Sequence, residues 1–164
     1  VPGRSGPERV RPRRLMPRVL FICTANYYRS RFAEAVFNHL ADRRGLGWTA
    51  FSRGIMPEEA PPGLSPHAAN GLRLVGVDPK FVAKEKSALC EADFDAADRI
   101  IALHRDEHEP MLRERFQSFL DRVDYWEVGD VPIEAPPRAL LRIKENVASL
   151  LEELSRAPGK TAGG

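Results

Sequence analysis

The sequence predicts one α/β domain of three layers, a four-stranded parallel sheet with helices on both faces. Three observations carry that expectation. A continuous apolar run, Val19-Leu20-Phe21-Ile22, suits a strand buried on both faces. Strand-like runs alternate along the chain with amphipathic segments, the order that builds a parallel sheet through right-handed crossovers. The 164 residues suffice for one core, and no repeat or second domain is visible.

After the first strand, Phe32, Ala33, Ala35, Val36, Phe37 and Leu40 recur at helical spacing up to Gly45, a plausible stop. Trp48 to Ser52 reads as the second strand, and residues 53–64, with their prolines and glycines, as a loop. Ser65-Pro66 joins an N-cap to a proline at the first helical position and opens a helix to about Val75. Asp93 to Asp98 leads into a third strand, Arg99 to Leu103, and a helix covers about Arg105 to Phe116 with Pro110 near its first turns. Phe119 to Val123 is expected to be the fourth strand, and Trp126 to Pro137 an irregular loop. Leu140, Leu141, Ile143, Val147, Leu150, Leu151 and Leu154 form the stripe of a last helix over 138–154.

Composition narrows the function classes. A hydrophobic share of 43% and a charged share of 29% belong to a folded globular chain. No apolar run is long enough to cross a bilayer and no secretory signal is visible, so no membrane partner is expected. Cys23 and Cys90 are too few for a disulfide framework, and a reducing cytoplasm is the expected compartment. Residues 1–18 carry six arginines against Glu8 alone, +5 in a chain whose total is +2. Residues 1–17 are therefore expected to be a disordered basic leader, 18–156 the folded domain and 157–164 a flexible tail. Nucleic-acid binding by the leader is not expected, because no aromatic residue interleaves its arginines.

The chemistry is expected in the turn after the first strand, at the strand end where such sheets bind ligands. There Cys23 is followed by five residues, then Arg29 and Ser30. A turn of this length into a helix can direct successive N–H groups inward as a nest for a tetrahedral phosphate. The same donors favour a thiolate nucleophile at Cys23, Arg29 offers paired donors to two phosphoryl oxygens, and Ser30 can donate to the sulfur. A phosphate ester also needs a carboxylic acid for its leaving oxygen and a base for the later water. Asp130, in the loop after the fourth strand, is the candidate for both, with Asp124 its rival. No metal or other cofactor is required, since amides, guanidinium and helix dipole neutralise the charge. The bland reading of the same residues is a buried structural cysteine beside a surface arginine.

The stretch Val19-Leu20-Phe21-Ile22-Cys23-Thr24-Ala25-Asn26-Tyr27-Tyr28-Arg29-Ser30 resembles the strand and phosphate loop of the low-molecular-weight protein tyrosine phosphatase family. Ala33-Glu34-Ala35, Phe51-Ser52-Arg53-Gly54, Gly76-Val77-Asp78, Asp93 to Asp98 and Val128-Gly129-Asp130 resemble its later landmarks, over about residues 18–154. The resemblance implies a four-stranded parallel sheet and a cysteine-dependent phosphomonoesterase acting through a phosphocysteine. Its substrates would be protein phosphotyrosine or small aryl phosphates, with inorganic phosphate or sulfate at home in the loop. It implies Cys23 as nucleophile, Arg29 as clamp and Asp130 as acid, then base. Thr24, Ala25, Asn26, Tyr27 and Tyr28 would line the loop, with Asn26, Ser30 and Ser52 supporting it.

Four departures bear on this reading. Ala25 stands where the family has glycine, which matters if the backbone there has positive φ. Tyr28 stands for a second cysteine, Arg31 for proline, and Val131-Pro132-Ile133 for a proline and aromatic residues. Tyr27 either walls the entrance or packs in the loop. It argues against phosphoarginine, a specificity that the family links to a small threonine at that place. Two alternatives remain: a phosphate-binding module that has lost catalysis, and an arsenate reductase-like protein, for which a further cysteine is missing. His104 and His108 lack the pattern of a zinc protease, and Cys90 is expected to pack beneath a helix.

Overall fold

The computed structural model describes residues 16–131 and 133–156. Of the leader expected over 1–17, all but residues 16 and 17 lies outside the described residues, as does the tail expected over 157–164. Four parallel strands, β1 (Arg18–Cys23), β2 (Thr49–Gly54), β3 (Arg99–Ala102) and β4 (Val123–Tyr125), lie in the order β2-β1-β3-β4. Among the described residues five α-helices surround them: α1 (Arg29–Arg44), α2 (Pro66–Val75), α3 (Glu91–Asp95), α4 (Arg105–Arg115) and α5 (Pro136–Arg156).

Alternation along the strands divides the core into two faces. Val19 and Phe21 of β1 join Ala50 and Ile101 beneath Phe32, Val36, Phe37, Ile143 and Val147 of α1 and α5. Leu20 and Ile22 join Phe51 and Ile100 against Phe94 of α3 and Leu112 of α4. Residues 19–22 are fully buried, as a continuous apolar run requires when both faces are covered. Three layers and four parallel strands are thus borne out.

Local signals place several boundaries. Ser65 accepts the His67 amide at 3.1 Å, Pro66 opens α2, and Gly76 at φ 81° ends it. Gly45 ends α1 in the same left-handed conformation, φ 67°.

The fourth strand is displaced from its expected place. Gln117–Arg122 coil into a 3-10 turn and β4 begins only at Val123, where Phe119 to Val123 were expected. Phe119 stacks on Phe94 with centroids 4.4 Å apart and rings 11° from parallel, and Phe116 packs on the same ring at 5.4 Å. This aromatic cluster draws the segment into a compact turn, which β-propensity alone does not foresee. The short α3 was also unforeseen. Cys90, expected beneath a helix, is instead exposed at the start of α3, where its amide donates to the Asp93 carboxylate at 2.9 Å. Among the described residues, no helix is long and apolar enough to cross a membrane.

Candidate active site

The loop between β1 and α1 leaves the carboxyl edge of the sheet beside its central strand. Tyr28 precedes α1 without offering a side-chain acceptor, so the helix's first amides remain donors for something else. Asn26 adopts φ 55°, the one non-glycine residue among those described with positive φ, and curls the loop tightly. Ala25 has no such φ, so the alanine introduces no left-handed strain. Gly54 of β2 packs under this curl: a Cβ there would meet the Ala25 carbonyl carbon and the Asn26 nitrogen at 2.7 Å.

Cys23 is 3% exposed, with its Sγ 2.9 Å from Ser30 Oγ. Asn26 Nδ2 donates to Ser30 Oγ and to Ser52 Oγ, both at 2.9 Å, and the Ser87 amide donates to Asn26 Oδ1 at 2.8 Å. Having accepted from Asn26, Ser30 keeps its own hydrogen for the sulfur. Ser52 likewise accepts from Asn26 and donates to Glu34. Burial pushes the Glu34 carboxyl up from its ordinary value, with the Ser52 hydrogen bond acting against it.

Arg29 is 2% exposed and is held by α4 and by the end of the loop after β4. Its Nη1 donates to Glu107 Oε1 and to the Val128 carbonyl, both at 2.9 Å, and its Nη2 to Glu107 Oε2 at 2.7 Å. Three of five guanidinium hydrogens are thereby committed, leaving Nε–H and one on Nη2, the side-on pair that matches two oxygens of a tetrahedral anion. Thr24 Oγ1 donates to Glu107 Oε2 and lies 3.1 Å from His108 Nε2. The His104 amide donates to His108 Nδ1 at 3.1 Å, so the proton of the neutral ring sits on Nε2. Burial pulls His108 down from its ordinary value, which favours that neutral form. Burial alone would raise the Glu107 carboxyl, but hydrogen bonds from His108 and Arg29 outweigh it and hold the group well below the usual carboxylate range.

Asp130 completes the group, with Oδ2 3.5 Å from Arg29 Nη2. Its loop is braced by the Glu134 amide donating to the Asp130 carbonyl at 2.9 Å and by the Gly129 amide donating to the Glu134 carboxylate at 3.1 Å. A cleft of about 530 Å³ is lined by Cys23, Arg29 and Asp130 together.

This arrangement has close counterparts. The model of the family "Low molecular weight phosphotyrosine protein phosphatase" matches residues 18–158. The chain belongs to this family. It is a phosphatase, and the four-stranded sheet and cysteine loop are those of the family. A protein-arginine-phosphatase from Bacillus subtilis (strain 168) is 31% identical over 106 residues, covering 64% of this chain and 67% of the relative. A low molecular weight protein tyrosine phosphatase from T. tengcongensis superposes with a TM-score of 0.70 at 26% identity, over 84% of this chain and 99% of the other. An arginine phosphatase from Geobacillus stearothermophilus does so with 0.69 at 26%, over 85% and 94%.

Every expected site residue of the phosphatase lies in or beneath this cleft. Thr24, Ala25, Tyr27 and Tyr28 line it, while Asn26, Ser30 and Ser52 lie under the loop. Asp124, the rival acid, points away on β4, 69% exposed and 3.9 Å from Arg99. Tyr27 both lines the cleft and packs on the core, so the two readings of its ring coexist. Tyr28 is 7% exposed, and burial, then the charge of Asp130, pushes its hydroxyl up to about 12. Glu107, His108, Glu34 and Arg31 were not assigned to the site from the sequence. The histidine pair His104/His108 was visible there, but not its use: His108 Nε2 faces Thr24 Oγ1.

Proposed function

We propose that this phosphatase hydrolyses phosphomonoesters through a phosphocysteine at Cys23, with protein phosphotyrosine or small aryl phosphates as substrates. The observation carrying this reading is the convergence of Cys23, the free edge of Arg29 and Asp130 on one cleft. The Cys23 thiolate attacks phosphorus as the bond to the leaving oxygen breaks, and protonated Asp130 gives that oxygen its proton. Arg29 and the loop amides hold the equatorial oxygens through the transition state. Asp130, now a carboxylate, takes a proton from water as the water oxygen attacks the phosphocysteine. Inorganic phosphate leaves, and Ser30 donates to the departing sulfur. Phosphate should therefore also bind the loop as a product inhibitor. Residues 18–156 constitute the catalytic unit in this reading.

A second substrate class has support of its own. The B. subtilis relative is a protein-arginine-phosphatase, and the cleft lining includes Glu59 and Asp130, carboxylates suited to a guanidinium. Against it stands Tyr27 in the cleft lining, where the family links phosphoarginine specificity to a small threonine.

Hydrolysis of p-nitrophenyl phosphate at mildly acid pH tests the reaction, and parallel assays on phosphotyrosine, phosphoserine and phosphoarginine peptides test the class. Cys23→Ser should abolish turnover while retaining phosphate binding. Asp130→Ala should slow aryl phosphate hydrolysis by a factor on the order of 10². A wild-type protein that binds phosphate but hydrolyses none of these compounds would establish a binding module instead.

A further inference from the structure

The second residue after the arginine clamp is another arginine. Arg31 is 3% exposed, yet among the described residues no carboxylate lies within ion-pair distance of it. Its guanidinium faces main-chain carbonyls: Nη1 donates to Asn26 O at 3.1 Å and to Gly63 O at 3.5 Å, and Nη2 to Ala83 O at 2.7 Å. Its Nε is buried with no acceptor. Burial pulls its proton affinity down, with the charges of Glu34 and Cys23 acting against that. A guanidinium so placed carries a desolvation cost that carbonyl acceptors only partly offset, which calls for a role beyond packing.

The loop's carbonyls supply that role. In a planar trans peptide the C=O of one residue and the N–H of the next point in opposite directions. An amide therefore faces the anion only while the preceding carbonyl is held outward. The Cys23 carbonyl is held by the Ile55 amide at 3.0 Å, that of Thr24 by the Met56 amide, and that of Tyr27 by the Ser65 amide at 2.9 Å. The carbonyl of Asn26 is held by Arg31. Asn26 is also the one residue of the loop in the left-handed conformation. A flip there would turn a carbonyl dipole toward the phosphoryl oxygens and an N–H away.

We propose that Arg31 is a positioning residue of the phosphatase: it holds the Asn26–Tyr27 peptide with its carbonyl outward, so that the Tyr27 amide donates to the phosphoryl group. This deepens the reading of the Cys23 loop as the reacting site and rests on it. The same guanidinium ties the loop to the Gly63 and Ala83 carbonyls.

The test compares wild type, Arg31→Met and Arg31→Lys. Inorganic phosphate is titrated while the Tyr27 amide is followed by NMR, kcat and KM are measured on p-nitrophenyl phosphate, and thermal unfolding reports the folded fraction. Loss of a charge-assisted hydrogen bond should weaken phosphate binding by about tenfold in Arg31→Met and largely remove the phosphate-induced shift of the Tyr27 amide. Arg31→Lys keeps the charge but only one donor nitrogen, so it should fall between the two and remain readable should the methionine variant not fold. Phosphate affinity and Tyr27 shift equal to wild type in the folded fraction of either variant, with only the melting temperature lowered, would overturn the proposal and leave Arg31 a packing residue. A wild-type protein that neither binds phosphate nor turns over substrate would overturn the assignment of the Cys23 loop itself, and this inference with it.

Discussion

Arg29 and Glu107, 78 residues apart in sequence, meet end-on, with Nη1 on Oε1 and Nη2 on Oε2. The pair explains how a guanidinium 2% exposed stays charged and aimed: burial acts against its charge, and the Glu107 hydrogen bonds with the Cys23 and Asp130 charges more than offset it. It also fixes which edge of Arg29 remains for an anion. The orientation of Arg29 thus depends on α4, an element outside the loop that carries it.

Glu107 should therefore matter to turnover although it touches no substrate in the proposed reaction. Glu107→Ala leaves a buried charge with one fewer partner, a loss of about 2–5 kcal/mol in comparable pairs, and kcat/KM should fall by about 10² or more. Glu107→Gln keeps the shape and one acceptor, and should retain more activity. The pH dependence has a definite sign. A carboxyl held below its unfolded value contributes stability that is present above the ordinary glutamate range, near pH 4.3, and is lost as pH falls through the lower folded value. Urea midpoints of wild type and Glu107→Gln should then differ by a constant amount from pH 7 to about pH 5 and converge only in stronger acid. Convergence already at pH 6 would contradict the pairing.

Gly54 offers a steric test of the loop's seat. A methyl group there would lie 2.7 Å from two backbone atoms of the loop, and neither is a flexible side-chain end that could swing aside. Gly54→Ala must push Ala25 and Asn26 toward the cleft, with overpacking strain of about 1–3 kcal/mol. Phosphate affinity and melting temperature should drop together. Wild-type values of both would overturn this close apposition of β2 and the loop.

Asn26 separates backbone strain from hydrogen bonding. Alanine and glycine at this position both lose the bonds to Ser30, Ser52 and the Ser87 amide. Alanine must in addition sustain φ 55°, a penalty of about 1 kcal/mol that glycine avoids. Asn26→Gly should accordingly melt above Asn26→Ala, while both lose much of kcat because Ser30 is no longer oriented toward the sulfur. Equal melting temperatures would show that the loop relaxes out of the left-handed conformation once the amide is gone.

How far these relationships were legible in the sequence follows from the range of the forces behind them. β1, the Cys23 turn and the Ser65 cap of α2 are encoded within a few residues, by burial on both faces, by turn chemistry and by capping. Asp130 could be placed from element order, since loops after parallel strands gather at one edge. Glu107 could not, because its role depends on which face of α4 turns toward a loop 78 residues away. Arg31 stood out as a departure from proline, but its acceptors are carbonyls of two distant segments, and carbonyls carry no sequence signal. The displacement of β4 arises likewise from Phe94, an aromatic partner more than twenty residues upstream.

Tyr28 provides a test at the alkaline end. Burial first, and the Asp130 charge after it, raise its hydroxyl to about 12, against about 10 in an unfolded chain. An acid whose folded value is raised contributes stability that is fully present below the unfolded value and is lost as pH climbs toward the folded one. Wild type should thus lose stability between about pH 10 and pH 12 through this group, and Tyr28→Phe should lack that component. At neutral pH the phenylalanine should cost little or even stabilise, because the buried hydroxyl has no hydrogen-bond partner. Urea midpoints of the two proteins at pH 8, 10 and 11.5 decide it, with the gap shifting in favour of the phenylalanine variant only above pH 10. A gap that stays constant to pH 11.5 would mean that the hydroxyl reaches solvent and titrates like any surface tyrosine.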